Sequence, residues 1–249
     1  MISLEGKKMV VIGGSRGIGR RIVEAGIRNG AQVLAVARQE APLQRLAHEV
    51  PAAETLALDA TEEQAPSKVF NALMPDILIL GGGVLPPVAP IHEQSWQQFS
   101  ANWESDVKIA FNFCKAALSC PLPAGASVVL LSSGAALAGS PLSGGYAGAK
   151  RTQIFIANYS QKESDRLDLG LRFMAIAPRI VPDTDIGKHA IAGYSRYLGI
   201  PEEKFVRGMA APPTACIVAT AVIELVLKLD RSLGDVFIVS GKGLEAVSV

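Results

Sequence analysis

The feature that most constrains the fold of this chain is a short apolar run that leads directly into a glycine-rich turn. Residues 9–12 are typical of a buried parallel strand, Gly13, Gly17 and Gly19 follow at once, and apolar residues then recur at helical spacing. Gly13 permits a tight turn, Gly17 the close approach of a ligand, and Gly19 the packing of helix on strand. Such a unit directs free backbone N–H groups and a positive helix end to one point, which suits a pyrophosphate. The alternative is a strand-to-helix turn that only needed small residues.

Strand-like apolar runs alternate with helical patterns along the whole chain. Each run is short, apolar on both faces and bounded by Gly, Pro, Asp or Ser, as a parallel sheet covered by helices on both sides requires. The predicted strands are residues 9–12, 33–36, 56–58, 77–80, 128–131, 173–177 and 236–239. The predicted helices lie near residues 17–29, 41–49, 62–73, 96–119, 145–167 and 214–229, and residues 61–64 have the form of a capping box.

These elements predict one α/β domain over residues 1–249. With no repeat or linker, we expect a doubly wound sheet of seven parallel strands, helices on both faces, and a ligand site at the carboxyl ends of the strands. The net charge is +1 and the basic residues are scattered, which argues against nucleic acid or an anionic membrane as a partner.

The composition also bears on compartment and metals. An uncharged stretch over residues 116–149 is broken too often by Pro and Gly to span a membrane, and no signal peptide is recognisable. Cys114, Cys120 and Cys216 lack metal-ligand spacing, which favours buried free thiols in a reducing compartment. We therefore expect a cytoplasmic protein without a bound metal.

The end of the second strand bears on the choice of a dinucleotide. A carboxylate there would bind a ribose 2′-OH, whereas an arginine accommodates a 2′-phosphate. Arg38 follows this strand and Arg16 lies inside the glycine turn, which favours NADP(H) because guanidinium groups bind phosphate bidentately. The alternative is a pair of surface arginines. Asp59, after the third strand, is placed either to accept from an adenine amino group or to cap the next helix.

Three residue types suited to carbonyl chemistry are predicted to face the same cleft. Tyr146 and Lys150 are four residues apart, one turn along a helix face, and Ser133 lies at the end of the preceding strand. A free phenol is a poor acid–base catalyst at neutral pH, and a neighbouring ammonium and a cationic nicotinamide favour its phenolate form. The Ser133 hydroxyl can donate to a carbonyl oxygen, and Lys150 can also hold the nicotinamide ribose.

The residues Gly13, Gly17, Gly19, Asp59, Ser133, Tyr146 and Lys150 resemble, in order and spacing, the motifs of the short-chain dehydrogenase/reductase family. The resemblance extends over essentially the whole chain and implies a Rossmann-like fold, NADP(H) as cofactor and a carbonyl/alcohol substrate pair. It also implies a homo-oligomer, a tetramer or dimer, built through the two long helices. Tyr146 would be the acid/base, Ser133 the carbonyl donor and Lys150 the ribose anchor. The expected cofactor site comprises Gly13, Ser15, Arg16, Gly17, Ile18, Gly19, Arg38, Asp59, Ala60, Gly82, Lys150, Ile180 and Thr184.

The chain departs from the family pattern at three places. Residues 80–83, Leu-Gly-Gly-Gly, replace the family's Asn-Asn-Ala-Gly, although glycines still let the backbone approach a cofactor. Asp106 aligns with the family's fourth catalytic residue, an Asn, and either sustains a proton relay to Lys150 or traps it in an ion pair; Asn102 is a second candidate. Arg179 replaces a glycine and either touches the cofactor or serves as a turn residue. Thr184 lies where the family often contacts the nicotinamide carboxamide.

The connection over residues 184–213 is long enough to be a substrate-binding lid. Its apolar and aromatic side chains predict a small-molecule carbonyl or alcohol substrate that is partly apolar, although core packing explains each of them singly. They are His189, Tyr194, Tyr197, Phe205 and Met209.

Three functions are compatible with this sequence. The first is an NADP(H)-dependent oxidoreductase. The second is a catalytically idle NADP(H)-binding regulator, favoured by the motif departures but opposed by the intact Ser133, Tyr146 and Lys150. The third is a sugar-nucleotide epimerase, opposed by a chain too short for a further substrate domain.

Overall fold

An eight-stranded sheet forms the centre of the structure, a computed structural model that describes residues 3–228 and 235–247. The strand order is β3-β2-β1-β4-β5-β6-β7-β8, and the first seven strands are parallel, which confirms the predicted doubly wound sheet. The strands are β1 Lys8–Ile12, β2 Gln32–Ala37, β3 Ala53–Ala57, β4 Ile77–Leu80, β5 Ser127–Leu131, β6 Arg172–Pro178, β7 Val236–Ser240 and β8 Gly243–Ala246.

The eighth strand was not predicted. Strand β8 runs antiparallel to β7, and the pairing of Ser240 with Gly243 leaves Gly241 and Lys242 as a two-residue turn. Gly243 has a φ of +108°, a conformation that glycine adopts at little cost. The expected count of seven strands is therefore corrected to eight.

The third strand lies earlier in the chain than residues 56–58. Its paired residues run from Ala53, opposite Val33, to Ala57, opposite Ala37. Strand β3 is the edge of the sheet and is largely exposed along its length, so it carries little of the apolar signal that marks the central strands.

Helices cover both faces of the sheet, as expected. Along β1, Met9 and Val11 pack on one face with α1, α2 and α10, whereas Val10 and Ile12 pack on the other with α3, α5 and α7. The helices are α1 Gly17–Arg28, α2 Glu40–Glu49, α3 Ala65–Ala72, α4 Trp96–Asn102, α5 Lys108–Ser119, α6 Ala135–Ala138, α7 Gly144–Arg166, α8 Asp185–Leu198, α9 Glu202–Arg207 and α10 Ala215–Leu227. Residue 229, the expected end of α10, lies outside the described residues.

Two helix predictions need correction. The capping box at residues 61–64 is wrong, because α3 begins at Ala65 and Thr61 instead donates to Asp59. A capping box does form at the start of α4, between Ser95 and Gln98. The expected helix over 96–119 is interrupted by a π-helical turn, Trp103–Val107, between α4 and α5. In such a turn each backbone hydrogen bond spans one residue more than in an α-helix.

The cysteines are free thiols with different surroundings. Cys114 is buried, and burial raises its pKa to about 12. Cys120 and Cys216 are exposed, so the expectation that all three thiols are buried was wrong.

Within the described residues, no helix combines the length and the apolar character needed to cross a lipid bilayer.

Candidate active site

A cavity of about 880 Å³ opens at the carboxyl ends of the parallel strands. It extends from the glycine turn after β1 past the ends of β2, β3, β4, β5 and β6. Every residue that the sequence assigned to the cofactor or to catalysis lines it. These residues are Gly13, Ser15, Arg16, Gly17, Ile18, Gly19, Arg38, Asp59, Ala60, Gly82, Asp106, Ser133, Tyr146, Lys150, Ile180 and Thr184.

The glycine turn is built too tightly for side chains. Gly13 has a φ of +84°, and a Cβ on it would lie 2.8 Å from backbone atoms of Gly81 and Gly82. A Cβ on Gly19 would lie 2.1 Å from the Gly13 carbonyl oxygen. Helix α1 begins at Gly17, and no side chain caps its N-terminus. Its first backbone N–H groups are thus available to an anion in the cavity.

Two arginines and one carboxylate lie at the end of the cavity formed by β1, β2 and β3. Arg38 is exposed immediately after β2, and the exposed guanidinium of Arg16 lies 3.9 Å from the carboxylate of Asp185. The Asp59 carboxylate accepts from the backbone N–H of Thr61 at 2.9 Å and from its hydroxyl at 2.7 Å. Asp59 thus closes a local turn and does not cap α3.

The charge state of Asp59 follows from these contacts. Burial raises the pKa of Asp59, but the hydrogen bonds from Thr61 and the nearby charge of Arg38 outweigh burial and hold the pKa below its usual value. A carboxylate therefore faces this end of the cavity at neutral pH.

The cavity brings the predicted serine, tyrosine and lysine together. Ser133 follows β5, and Tyr146 and Lys150 lie one turn apart on α7. The Ser133 oxygen accepts from the backbone N–H of Ala135 at 3.2 Å, which leaves its own hydrogen to donate. The Lys150 ammonium lies 5.6 Å from the centroid of the Tyr146 ring. The Tyr146 hydroxyl makes no hydrogen bond to another described residue.

The Lys150 ammonium has an acceptor for each of its three hydrogens. It lies 3.0 Å from an Asp106 carboxylate oxygen, 2.9 Å from the Leu131 carbonyl and 3.1 Å from the Gln153 side-chain carbonyl. Burial lowers the pKa of Lys150, but the charges of Asp106 and Tyr146 and the hydrogen bond to Asp106 outweigh it and leave the pKa raised. Of the two roles left open for Asp106, the structure contains the ion pair.

Asp106 also holds the loop that follows β4. It lies in the π turn, and its other carboxylate oxygen accepts from the backbone N–H of Val84 at 3.2 Å and from the Asn102 amide at 3.3 Å. Asn102 donates to the Val84 carbonyl at 3.0 Å and does not contact Lys150. A Cβ on Gly83 would lie 2.6–2.7 Å from the Asp106 carboxyl atoms, so this glycine allows the carboxylate to approach the loop.

Gln153 is a site residue that the sequence analysis missed. Its side chain accepts from Lys150 and donates to the Asp106 backbone carbonyl at 3.1 Å, so it bridges the two charged residues. It is almost completely buried. Its position three residues after Lys150, on the same face of α7, was the available signal.

The expected lid over 184–213 contains helices α8 and α9. The Thr184 hydroxyl caps α8, accepting from the Gly187 N–H at 3.1 Å and donating to the Val181 carbonyl at 2.8 Å. Of the five lid side chains that the sequence analysis named, only Tyr194 lines the cavity. The Phe205 ring stacks on Tyr194 at a centroid distance of 5.4 Å. Tyr197 is exposed and lies outside the cavity lining.

The lining also includes one segment that the sequence analysis missed and one residue, Arg179, whose role it left open. Residues 84–88 line the cavity and were missed; a Cβ on Gly193 of α8 would lie 2.2 Å from Val88, so α8 rests directly on this segment. Arg179 was left open between two roles. It lines the cavity, and its guanidinium donates to the Ala210 carbonyl at 3.4 Å.

Comparison with known proteins gives a consistent result. Residues 7–194 match the family model described as short chain dehydrogenase. L-xylulose reductase of Bos taurus is 31% identical over 113 residues, which cover 44% of this chain and 46% of the relative. Sorbitol dehydrogenase of Cereibacter sphaeroides is 29% identical over 222 residues, 84% of each chain, and D-erythrulose reductase of Gallus gallus is 32% identical over 36% of each chain. The chain thus spans about half the length of the L-xylulose reductases it matches.

Proposed function

Because this chain belongs to the short-chain dehydrogenase/reductase family, we propose that it is an NADP(H)-dependent oxidoreductase acting on a carbonyl/alcohol pair. The observation that carries this proposal is the convergence of Ser133, Tyr146 and Lys150 in one cavity with the uncapped start of α1. When bound, NADP(H) donates or accepts the hydride.

The cavity fits such a cofactor because the tightly packed glycine turn brings the uncapped N-terminus of α1 to the cavity wall. The N–H groups at the start of α1, with Ser15, Gly17 and Ile18, would hold the pyrophosphate. Arg38 and Arg16 would bind the 2′-phosphate, since an arginine and not a carboxylate stands immediately after β2. At the adenine end of the cofactor, Asp59 and Ala60 would contact the base. The nicotinamide half would lie against Gly82, Ile180 and Thr184.

The three central side chains divide the work on the substrate. Tyr146 would pass a proton to the substrate oxygen during reduction and take it back during oxidation. Ser133 would donate a hydrogen bond to the same oxygen and stabilise the charge that develops there. Lys150 would act on Tyr146 through its charge, and to anchor the ribose it would have to give up one of its three present acceptors.

A panel of aldehydes and ketones with NADPH, followed by absorbance, tests the proposal. We expect Tyr146→Phe to lower turnover of any accepted substrate by at least about 100-fold while NADPH still binds. Tyr197→Phe, an exposed position outside the cavity lining, is the matched control and should retain turnover. Full activity of Tyr146→Phe would remove the proposed acid/base.

A second function, a catalytically idle NADP(H)-binding regulator, is favoured by one observation. Asp106 and two other acceptors already occupy every hydrogen of the Lys150 ammonium. Tight NADPH binding with no reduction of any carbonyl, and with no gain in Asp106→Asn, would select this function over the first.

The long connection over 184–213 is proposed as the substrate lid, with a partly apolar small molecule beneath it. It packs against residue 88 and supplies Tyr194 to the cavity wall. Several relatives carry the names of sugars or polyols, such as L-xylulose and sorbitol.

We place the protein in the cytoplasm, where NADPH is available to a reductase.

We also propose that the protein is a dimer or tetramer joined through α5 and α7. Phe111 on α5 and Phe155 and Tyr159 on α7 are large, exposed apolar side chains, and the last two stack at a centroid distance of 6.1 Å. Sedimentation should give more than one copy for the natural chain and a smaller species for Phe155→Glu. Leu198→Glu, an exposed change at the end of α8, should leave the assembly intact.

A further inference from the structure

We infer that the substrate carries hydrocarbon groups beside its reacting carbonyl and is not a polyhydroxylated sugar; this inference rests on the proposed function. The inference concerns the cavity beyond Ser133 and Tyr146, where three segments enclose the space available to a substrate. We call the segments 84–88, 134–143 and 178–194, part of whose residues line the cavity, the outer walls.

Hydrocarbon side chains dominate the outer walls. The segment after β4 contributes Leu85 and two prolines, and its Val88 lies directly under α8. The segment after β5 contributes Leu137 and Leu142, and α8 contributes Ile186. A ligand in this space would meet mostly apolar surface.

The hydroxyl groups of the outer walls are engaged with one another. The Tyr194 hydroxyl on α8 donates to Ser140, and the Ser140 and Ser143 oxygens are 3.0 Å apart. Ser140 also accepts from the backbone N–H of Leu142 at 3.2 Å. Because Ser140 already accepts twice, its own hydrogen goes to Ser143, and the Ser143 hydroxyl keeps one hydrogen that a ligand can use.

Three other polar side chains of the outer walls line the cavity. The Thr184 hydroxyl caps α8, the exposed Asp185 faces Arg16 at the cavity mouth, and Arg179 donates to the Ala210 carbonyl at 3.4 Å. Ser133 and Tyr146 remain for a substrate, and both are assigned to the single reacting oxygen. Beyond that oxygen the site offers a substrate few polar partners, chiefly Ser143 and Arg179.

A polyhydroxylated ketose would have to bury most of its hydroxyls against these walls without partners. Each such hydroxyl loses its hydrogen bonds to water and gains none in return. An apolar pocket discriminates against one added hydroxyl by about 100-fold. The preference against a sugar should therefore be strong, although relatives are named for L-xylulose and D-erythrulose.

The test compares ketones that differ in hydroxyl content and length. We would measure kcat/KM with NADPH for 2-pentanone, 2-octanone and L-xylulose, the first and last having the same number of carbon atoms. We expect 2-pentanone to exceed L-xylulose by at least about 100-fold, and 2-octanone to be better still. An L-xylulose value equal to or above that of 2-pentanone would overturn the inference.

A pair of tyrosine variants on α8 tests the hydrogen bonds among these hydroxyls. Tyr194→Phe removes the donor to Ser140 and leaves Ser140, which adjoins the lining residue Gly139, with an acceptor that has lost its partner. We expect it to raise the ratio of L-xylulose to 2-pentanone activity by about three- to tenfold. Tyr197→Phe, exposed and outside the lining, should leave the ratio unchanged. No change in Tyr194→Phe would contradict the role given to the hydroxyl chain.

Binding measurements keep this inference separate from the proposed function. If no ketone is reduced, the proposed function fails, and ligand-observed NMR with 2-octanone and L-xylulose still tests the walls. In Tyr146→Phe with NADPH present, we expect 2-octanone to bind at least tenfold more tightly than L-xylulose. The reverse order would reject the inference whatever the activity.

Discussion

The Lys150 ammonium lies 3.0 Å from the Asp106 carboxylate, and the two side chains are only 8% and 3% exposed. Gln153 bridges them, and Asp106 at the same time binds the backbone N–H of Val84. The pair therefore joins α7, the π turn and the loop after β4. A buried charge that loses its partner is strongly unfavourable, whereas exchanging both partners for neutral groups is much less so.

A double-mutant cycle across this pair should show strong coupling. We expect Asp106→Asn and Lys150→Met each to lower the free energy of unfolding by about 3 kcal/mol, because each leaves an uncompensated buried charge. The double variant should lose less than the sum, with a coupling of about 1–3 kcal/mol. Urea denaturation followed by circular dichroism gives these values. The exposed pair Glu163 and Arg166 is the control, and its cycle should show coupling within the error of the measurement.

Alkaline pH should weaken the fold through the same lysine. Asp106 raises the pKa of Lys150 above 10.5 in spite of burial, so the native state holds this proton more tightly than the unfolded chain. The stabilisation is complete below pH 10.5 and is lost as pH rises through the higher native pKa. The free energy of unfolding should thus fall as the pH rises above 10.5.

Asp106→Asn provides the comparison for this pH dependence, because it removes the charge that raises the pKa of Lys150. Its unfolding free energy should show a smaller alkaline loss than that of the natural chain. Parallel pH dependences in the two proteins would mean that other groups dominate alkaline unfolding.

The central fold was predictable from sequence because its signals are local. Strands buried on both faces read as continuous apolar runs, and the glycine turn follows the first of them directly. The edge strands gave weaker signals: β3 is largely exposed, and β8 consists of four residues that depend on the hairpin with β7. The prediction of a capping box at residues 61–64 was wrong because Thr61 donates to Asp59 in a local turn, and α3 begins only at Ala65.

The residues that line the cavity were predictable from sequence, but the hydrogen-bond network among them was not. The spacing of Ser133, Tyr146 and Lys150 placed them at one edge of the sheet. The choice between a relay and an ion pair for Asp106 depended on the π turn, which no propensity marks. The segment 84–88 joins the site only through tertiary packing. The spacing of Gln153 from Lys150 was a signal, but its link to Asp106 depends on the packing of α7 against the π turn.

Two glycines with matched backbone conformations test how tightly the cofactor turn is built. Gly13 and Gly125 have φ values of +84° and +86°, but only Gly13 has neighbours in the space where a Cβ would lie. Gly125→Ala should cost about 1–2 kcal/mol, the price of the left-handed backbone alone. Gly13→Ala should cost more and also weaken NADPH binding, because Gly81 and Gly82 would have to move. Urea denaturation and a fluorescence titration measure the two effects, and equal stabilities would show that the turn tolerates a side chain.

Reversing the charge at Arg38 should change the preferred cofactor. The guanidinium follows β2 and is exposed to the cavity, where the 2′-phosphate that distinguishes NADPH from NADH is proposed to bind. A charge-assisted hydrogen bond contributes about 1.5–3 kcal/mol, so Arg38→Asp should weaken NADPH binding by about 10- to 100-fold and leave NADH binding equal or improved. Arg45→Asp, an exposed position on α2 outside the cavity, makes the same change in net charge and should alter neither affinity. Fluorescence titration with NADPH and with NADH measures both affinities. An unchanged cofactor preference in Arg38→Asp would show that Arg38 does not bind the 2′-phosphate.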